Sequence, residues 1–430
     1  MNDTYEQAVE YLLHIPKFAK KTTVDNLCSV LEKLQNPHLD KKTIHVAGTN
    51  GKGSTCAYIE RILREAGYTT GLFTSPHLVD IEERFRINGE PVDRNLLLSC
   101  FQEWKQVMER HVEEGNPHLS FFETLFVIAT LLYRKLPIDY VIYETGLGGR
   151  LDATNVLQPE ITVITSIGKD HMQWLGTTLE EIAYEKAGII KQGVPVVFVE
   201  QKETFPVISK KAVESKAKQI PLCKEFIKIK KKDQKYIDFC FNNGYSRYDS
   251  LTLSTCAQYQ VENAALAILT IQNLIPTMKS DVIIAGIQKM KWAGRMQEII
   301  DGIFIDGAHN EPAIQRFVET VKSNQAESSL LFAVVQDKDY ETMIELLTKD
   351  SLFSTVIITS IDGERQADEE QIKNQFISKG QANVCVVRKS TDAFLLGRTW
   401  QQEKENRILY CTGSLYLVGE LYREWKKGVL

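Results

Sequence analysis

From Thr43 onward, short runs rich in Val and Ile alternate with longer segments whose apolar positions recur every three to four residues. Continuous apolar runs suit strands of a parallel sheet covered on both faces, and the segments between them are long enough for crossover helices. The pattern predicts strands at Thr43 to Ala47, Thr70 to Thr74, Tyr140 to Glu144, Ile161 to Ser166 and Val194 to Val199, with helices such as Ser54 to Ala66 and Phe121 to Lys135 between them. Residues 224 to 254 differ: FIKIKKKDQKYIDFCF alternates, and Asn242-Asn243-Gly244 is a turn signal, so a small antiparallel meander is expected there. Alternating Ile and Lys marks a strand with one solvated face rather than a phosphate patch. Helices follow at about 257 to 274 and 280 to 290. A second strand-and-helix series has strands at Ile303 to Asp306, Leu330 to Val335, Val356 to Thr359, Val384 to Val387 and Ile408 to Cys411. The fold class is α/β, with a border expected in Trp292 to Met296 and hence domains of residues 1–295 and 296–430.

A chain of 430 residues exceeds what one hydrophobic core fills, and 43% apolar with 25% charged residues is the balance of a soluble globular protein. With 51 Lys and Arg against 56 Asp and Glu, no positive field exists to hold nucleic acid or an anionic membrane. The eight cysteines never form a C-x-x-C pair, so they read as reduced thiols rather than a zinc cluster or disulfide framework. No apolar run reaches the roughly 18 residues of a membrane span and the N-terminus has no signal-peptide pattern, so the cytoplasm is the expected location.

One glycine-rich segment narrows the chemistry. His45-Val-Ala-Gly-Thr-Asn-Gly-Lys-Gly-Ser-Thr55 leaves a predicted strand and opens a predicted helix, the setting in which backbone N–H groups and a helix dipole converge on a phosphate. Lys52 adds a full charge, for which a simple strand-to-helix turn would have no use. The first domain is therefore of P-loop ATPase type and the smaller second one Rossmann-like. The spacing departs from G-x-x-x-x-G-K-[ST], because two residues separate Gly48 from Gly51 and Gly53 follows the lysine.

Other polar residues end predicted strands on the same sheet edge: Ser75 in Thr74-Ser-Pro-His77, Glu144 in YVIYE and His171 in Lys169-Asp-His. Each alone reads as solvated or structural. Converging beside the lysine loop, they form an oxygen and nitrogen set suited to Mg²⁺ bridging phosphate oxygens. In the second domain Asp306-Gly-Ala-His-Asn310 precedes a helix with Pro312 in its first turn. Capping explains Asn310 but not Asp306 or His309, which are candidates for chemistry; Thr412-Gly-Ser414 reads as plain capping.

These segments resemble the folylpolyglutamate synthase and dihydrofolate synthase branch of the Mur ligase family. The similarity rests on HVAGTNGKGST at 45–55, GLFTSPHLVDIEERFRING at 71–89, ETGLGGRLDATN at 144–155, EKAGIIK at 185–191, DGAHN at 306–310 and TGSLYLVGE at 412–420. The resemblance implies that ATP phosphorylates an acceptor carboxylate and that L-glutamate attacks the acyl phosphate to form an amide. It implies ATP binding by Thr49, Asn50, Gly51, Lys52, Gly53, Ser54, Thr55, Asn263, Arg295 and Asp306, the last three reaching ATP on domain closure. It implies two Mg²⁺ ions with Ser75, Glu144 and His171 as ligands and a carbamylated Lys186 beside the second; Lys52, Lys186 and His309 are the candidate catalytic residues. Phe122, Glu123, Arg150 and Asp152 fall on the side of the folate or dihydropteroate acceptor, although Phe121 and Phe122 also fit a helix core. Two positions depart from the family: Ala293 stands where proline is common and Ser120 where threonine is usual. The expected enzyme is a monomeric folylpolyglutamate synthase, bifunctional with dihydropteroate as a second acceptor, the alternative being a monofunctional dihydrofolate synthase. A cell-wall Mur ligase would need a nucleotide-sugar domain where only 42 residues precede Thr43, and a nucleotide switch would lack N-K-x-D and leave DGAHN unexplained.

Overall fold

The computed structural model describes residues 3–16, 24–324, 326–361 and 367–430. They form two compact units, one of Met1–Ile227, Phe241–Leu251 and Asn263–Met290, the other of Lys228–Cys240, Thr252–Glu262 and Lys291–Leu430.

The first unit is built on β1 (Lys42–Ala47), β2 (Thr70–Phe73), β3 (Phe85–Ile87), β4 (Glu90–Pro91), β5 (Tyr140–Glu144), β6 (Ile161–Ile164), β7 (Val196–Val199) and β8 (Gln219–Leu222). They lie in the order β4-β3-β2-β5-β1-β6-β7-β8. All neighbours from β2 to β8 are parallel, whereas β3 and β4 pair antiparallel at one edge. Residues 43–47 and all of β5 are buried, as a sheet with two covered faces requires. Helix Phe121–Arg134 buries Leu125 through Leu132 against Phe73, Val141 and Tyr143. Each such fully buried Leu or Phe contributes roughly 1.5–3 kcal/mol of transfer free energy. A second cluster joins Ala47, Ile164 and Phe198 to Ile182, Ala183 and Ala187.

This order positions the site. The chain leaves β1 toward β2 and leaves β6 toward β7, in opposite directions, so a crevice opens beyond the carboxyl ends of these neighbouring strands.

The meander consists of β9 (Ile227–Lys232), β10 (Ile237–Asn242) and β11 (Arg247–Leu253), in the order β11-β10-β9. Gly244 takes φ 83° at its second turn, where Asn243 Oδ1 accepts from the Tyr245 and Ser246 N–H groups. In the second unit, β12 (Gln297–Ile300), β13 (Ile303–Ile305), β14 (Glu327–Phe332), β15 (Phe353–Ile358), β16 (Val384–Val386) and β17 (Arg407–Thr412) take the order β12-β13-β17-β14-β15-β16. Only β12 runs antiparallel to its neighbour.

Candidate active site

The glycine loop joins β1 to helix Lys52–Glu65. Gly48 has φ 152° and Gly51 φ 87°, and each is pressed against a neighbour. A Cβ on Gly48 would stand 1.8 Å from Thr165 Oγ1, and one on Gly51 2.2 Å from Asn263 Oδ1. The residues after β6 hold the loop in place: the Thr49 and Asn50 N–H groups donate to the Ser166 carbonyl at 2.9 and 3.3 Å, and Thr165 Oγ1 donates to the Asn50 carbonyl at 2.7 Å. Ser54 and Thr55 are buried in the first helical turn, and Gly53 is half-buried. Lys52 Nζ curls back to 3.2 Å from the carbonyls of Gly48 and Thr49 and lies 3.9 Å from Glu144 Oε1.

Two more predicted residues meet this loop. Glu144, buried at the end of β5, accepts from the Ser75 N–H at 3.0 Å. Lys186, in the last turn of helix Leu179–Ala187, is 3% exposed and donates to the Gly48 carbonyl at 2.7 Å. Burial, and then the charge of Lys52, push its pKa down to about 7, with Asp170 and Asp152 opposing. His171 is exposed at φ 51°, its Nε2 3.9 Å from Asp170 Oδ2. Among the described residues no three His, Cys, Asp or Glu side chains are gathered as a metal cage. Mg²⁺ bridging phosphates needs no such cage, because one or two protein oxygens, water and the phosphates complete its shell. Glu144 and Ser75 are hard-oxygen side chains of that kind.

The four residues expected on the acceptor side have structural partners of their own. Glu123 Oε2 accepts from Ser120 N and Oγ at 2.7 and 2.6 Å, closing a capping box on helix Phe121–Arg134. Arg150 pairs with Glu185 at 2.8 Å and covers the Tyr184 ring. Phe122 packs 5.7 Å from Phe73 and against Gly146. Asp152 is buried, accepts from the Leu147 and Thr154 N–H groups at 2.8 and 3.0 Å, and takes the Thr154 hydroxyl as well. None of these contacts joins one of the four to another.

Asp152 leads to a residue that sequence reasoning passed over. Because the Thr154 hydroxyl donates to Asp152, its oxygen accepts from His45 Nε2 at 2.7 Å, at the heart of β1. Burial holds the His45 pKa down to about 3, against roughly 6.5 in an unfolded chain. Between those values the unfolded chain binds a proton that the folded chain refuses, so stability falls as pH falls. The expected loss from this group is about 1.4 kcal/mol per pH unit below pH 6.5. Urea denaturation of wild type and His45→Gln at pH 7.5 and 5.5 checks this: the variant should lose roughly that much less over the interval, and equal losses would refute the assignment.

In the second unit, Asp306 is buried just beyond β13, its Oδ2 accepting from Tyr259 Oη at 2.6 Å and the Met296 N–H at 2.7 Å, and Oδ1 from the Ala308 N–H at 2.9 Å. Burial raises its pKa, opposed first by the charge of Arg295. A Cβ on Gly307 would stand 3.0 Å from Arg295 Nη1, which places that guanidinium beside the DGAHN turn. His309 Nδ1 lies 2.7 Å from the Gly307 carbonyl, which can only accept, so Nδ1 carries the proton. Asn310 Oδ1 caps helix Glu311–Lys322 through the Ala313 N–H at 3.0 Å, and Ser414 caps helix Leu415–Lys426.

The family model of the Mur ligase middle domain matches residues 46–271, and that of the dihydrofolate synthetase C-terminal domain matches residues 289–424. A dihydrofolate synthase/folylpolyglutamate synthase of Bacillus subtilis is 34% identical over 99% of this chain and 100% of its own length. The chain belongs to the folylpolyglutamate and dihydrofolate synthase branch of the Mur ligase family. The dihydrofolate synthetase of Saccharomyces cerevisiae is 30% identical over 93% of this Mur ligase and 97% of the yeast protein. The crystal structure of folylpolyglutamate synthase from Thermotoga maritima aligns with a TM-score of 0.86 at 30% identity, covering 99% of this chain and 97% of that one. The Escherichia coli FolC structure, in complex with DHPP and ADP, aligns with a TM-score of 0.87 at 26% identity, covering 99% and 98%. Both the glycine loop and DGAHN lie within the matched regions. Among the described residues no helix is long and apolar enough to cross a membrane.

Proposed function

We propose that this Mur ligase adds L-glutamate to the carboxylate of a reduced folate through an acyl phosphate, acting as a cytoplasmic monomer, and that it also accepts dihydropteroate. The observation that carries the reading is the convergence of Lys52, Glu144 and Lys186 on a glycine loop at the crevice between β1 and β6. In the first step an acceptor carboxylate oxygen takes the γ-phosphoryl of ATP and the bond to ADP breaks. In the second the glutamate amine attacks the acyl carbon, the C–O bond to phosphate breaks, and the amine loses a proton.

Residues 1–295 would supply the phosphate side and 296–430 the remainder. Lys52 and the N–H groups of residues 49–55 stabilise charge on the transferring phosphoryl. Ser75 and Glu144, with His171 from the neighbouring loop, would hold Mg²⁺, which when bound neutralises phosphate oxygens. With its pKa down at about 7, a large share of Lys186 is the neutral amine near neutral pH, the form that adds CO2, so this residue is suited to carbamylation. Asn263, Arg295 and Asp306 serve ATP. His309, its ring oriented by the Nδ1 contact with the Gly307 carbonyl, would receive the amine proton. Phe122, Glu123, Arg150 and Asp152 remain our candidates for shaping the acceptor side.

A second reading, dihydropteroate as sole acceptor, is favoured by the C-terminal family model and the yeast relative. ADP release with glutamate, Mg²⁺ and each acceptor in turn separates the two. We expect turnover with both acceptors; turnover of dihydropteroate alone would establish the second reading, and of neither would sink both.

A further inference from the structure

We infer that Tyr259 is a positioning residue for the nucleotide step, its hydroxyl aiming the Asp306 carboxylate at a hydroxyl of the bound nucleotide. This rests on the reading that Asp306 serves ATP. Tyr259 opens helix Tyr259–Leu274, and its Oη donates to Asp306 Oδ2 at 2.6 Å, the shortest of three hydrogen bonds to that carboxylate. The Met296 N–H takes the same oxygen, so Oδ2 receives two donors while Oδ1 receives one, from Ala308.

An ionised carboxylate accepts about four hydrogen bonds. The asymmetry therefore turns Oδ2 into the anchored oxygen and leaves acceptor capacity on Oδ1 for a ligand hydroxyl. The two backbone donors fix the carboxylate's place but belong to the segments flanking it, whereas Tyr259 comes from a separate helix and is the one side-chain donor among the three. It also counters the burial that pushes the Asp306 carboxyl up toward its neutral form, the charge of Arg295 acting in the same sense and the nearby Cys256 thiol being held neutral by its own burial. Without the hydroxyl, Oδ2 keeps a single donor, and the carboxyl is both freer to rotate and easier to protonate.

Tyr259→Phe removes only the hydroxyl. Loss of a hydrogen bond to a charged group predicts a rise of about tenfold or more in KM for ATP, with kcat and KM for glutamate within about twofold of wild type. Asp306→Asn and the double variant belong in the same experiment. If the proposal holds, the double variant has the KM for ATP of Asp306→Asn, because the two residues act as one unit. If Asp306→Asn raises KM for ATP while Tyr259→Phe leaves it unchanged, Tyr259 is not a positioning residue. A uniform loss of kcat with an unmoved KM and a lowered melting temperature would overturn the proposal as a purely structural role. An unmoved KM in Asp306→Asn would instead remove the reading beneath it.

Discussion

Lys52→Ala is expected to cut acceptor-dependent ADP release by roughly a hundred- to thousandfold without unfolding the protein. The magnitude is that of deleting one preorganised group aimed at charge developing in a transition state. Lys52 suits that role because its side chain is only 17% exposed and its hydrogen bonds, apart from the 3.9 Å ion pair with Glu144, go to two loop carbonyls, which a phosphate oxygen would outcompete for the ammonium. Folding does not depend on it: the loop is secured through Thr49, Asn50 and Thr165, and the helix from Lys52 onward through its buried face. Glu144→Gln tests the other end of the pair. The amide oxygen can still accept from the Ser75 N–H, so shape persists while the carboxylate charge is lost. Turnover in either variant within tenfold of wild type, at an unchanged melting temperature, would remove these residues from the chemistry.

The parallel core was legible because strands buried on both faces leave unbroken apolar runs such as YVIYE and ITVI, and because Lys52 among glycines has no structural use. The edge hairpin was not identified, although Asn88 and Gly89, at φ 49° and 81°, are the residues a tight turn of that hand prefers. Its strands are too short, and its second too polar, for periodicity to register. β8 and β12 were missed for the same reason, having half-polar edge faces. The site divides similarly. Residues at strand ends could be read from position, whereas His45 and Tyr259 act through contacts 109 and 47 residues away in sequence, which only the packing reveals. Conversely, Ser120 and Glu123 spell out a capping box, a local signal that competes with a ligand role and could have been weighed from the spacing alone.

Lys186→Arg is expected to lower turnover by about a hundredfold or more, and wild-type activity should depend on CO2. A buried lysine whose pKa is about 7 is mostly neutral above that pH, and the neutral amine adds CO2 with release of a proton to give an anionic carbamate. The carbamate fraction should therefore fall as pH drops through about 7. Wild type dialysed free of CO2 at pH 6.5 should lose activity severalfold and regain it on adding bicarbonate, with a smaller change at pH 8.5. Arginine cannot follow this course: it stays protonated and sets a second permanent cation beside Lys52, where the proposed magnesium would call for an anion. Lys186→Ala supplies the converse test, because acetate can enter the space left by the side chain and replace the missing carboxylate, restoring part of the activity. If Lys186 instead serves only as a neutral donor to the Gly48 carbonyl, CO2 removal changes nothing and acetate rescues nothing. That pair of results would discard the carbamate while leaving the lysine a structural tie between its helix and the phosphate loop.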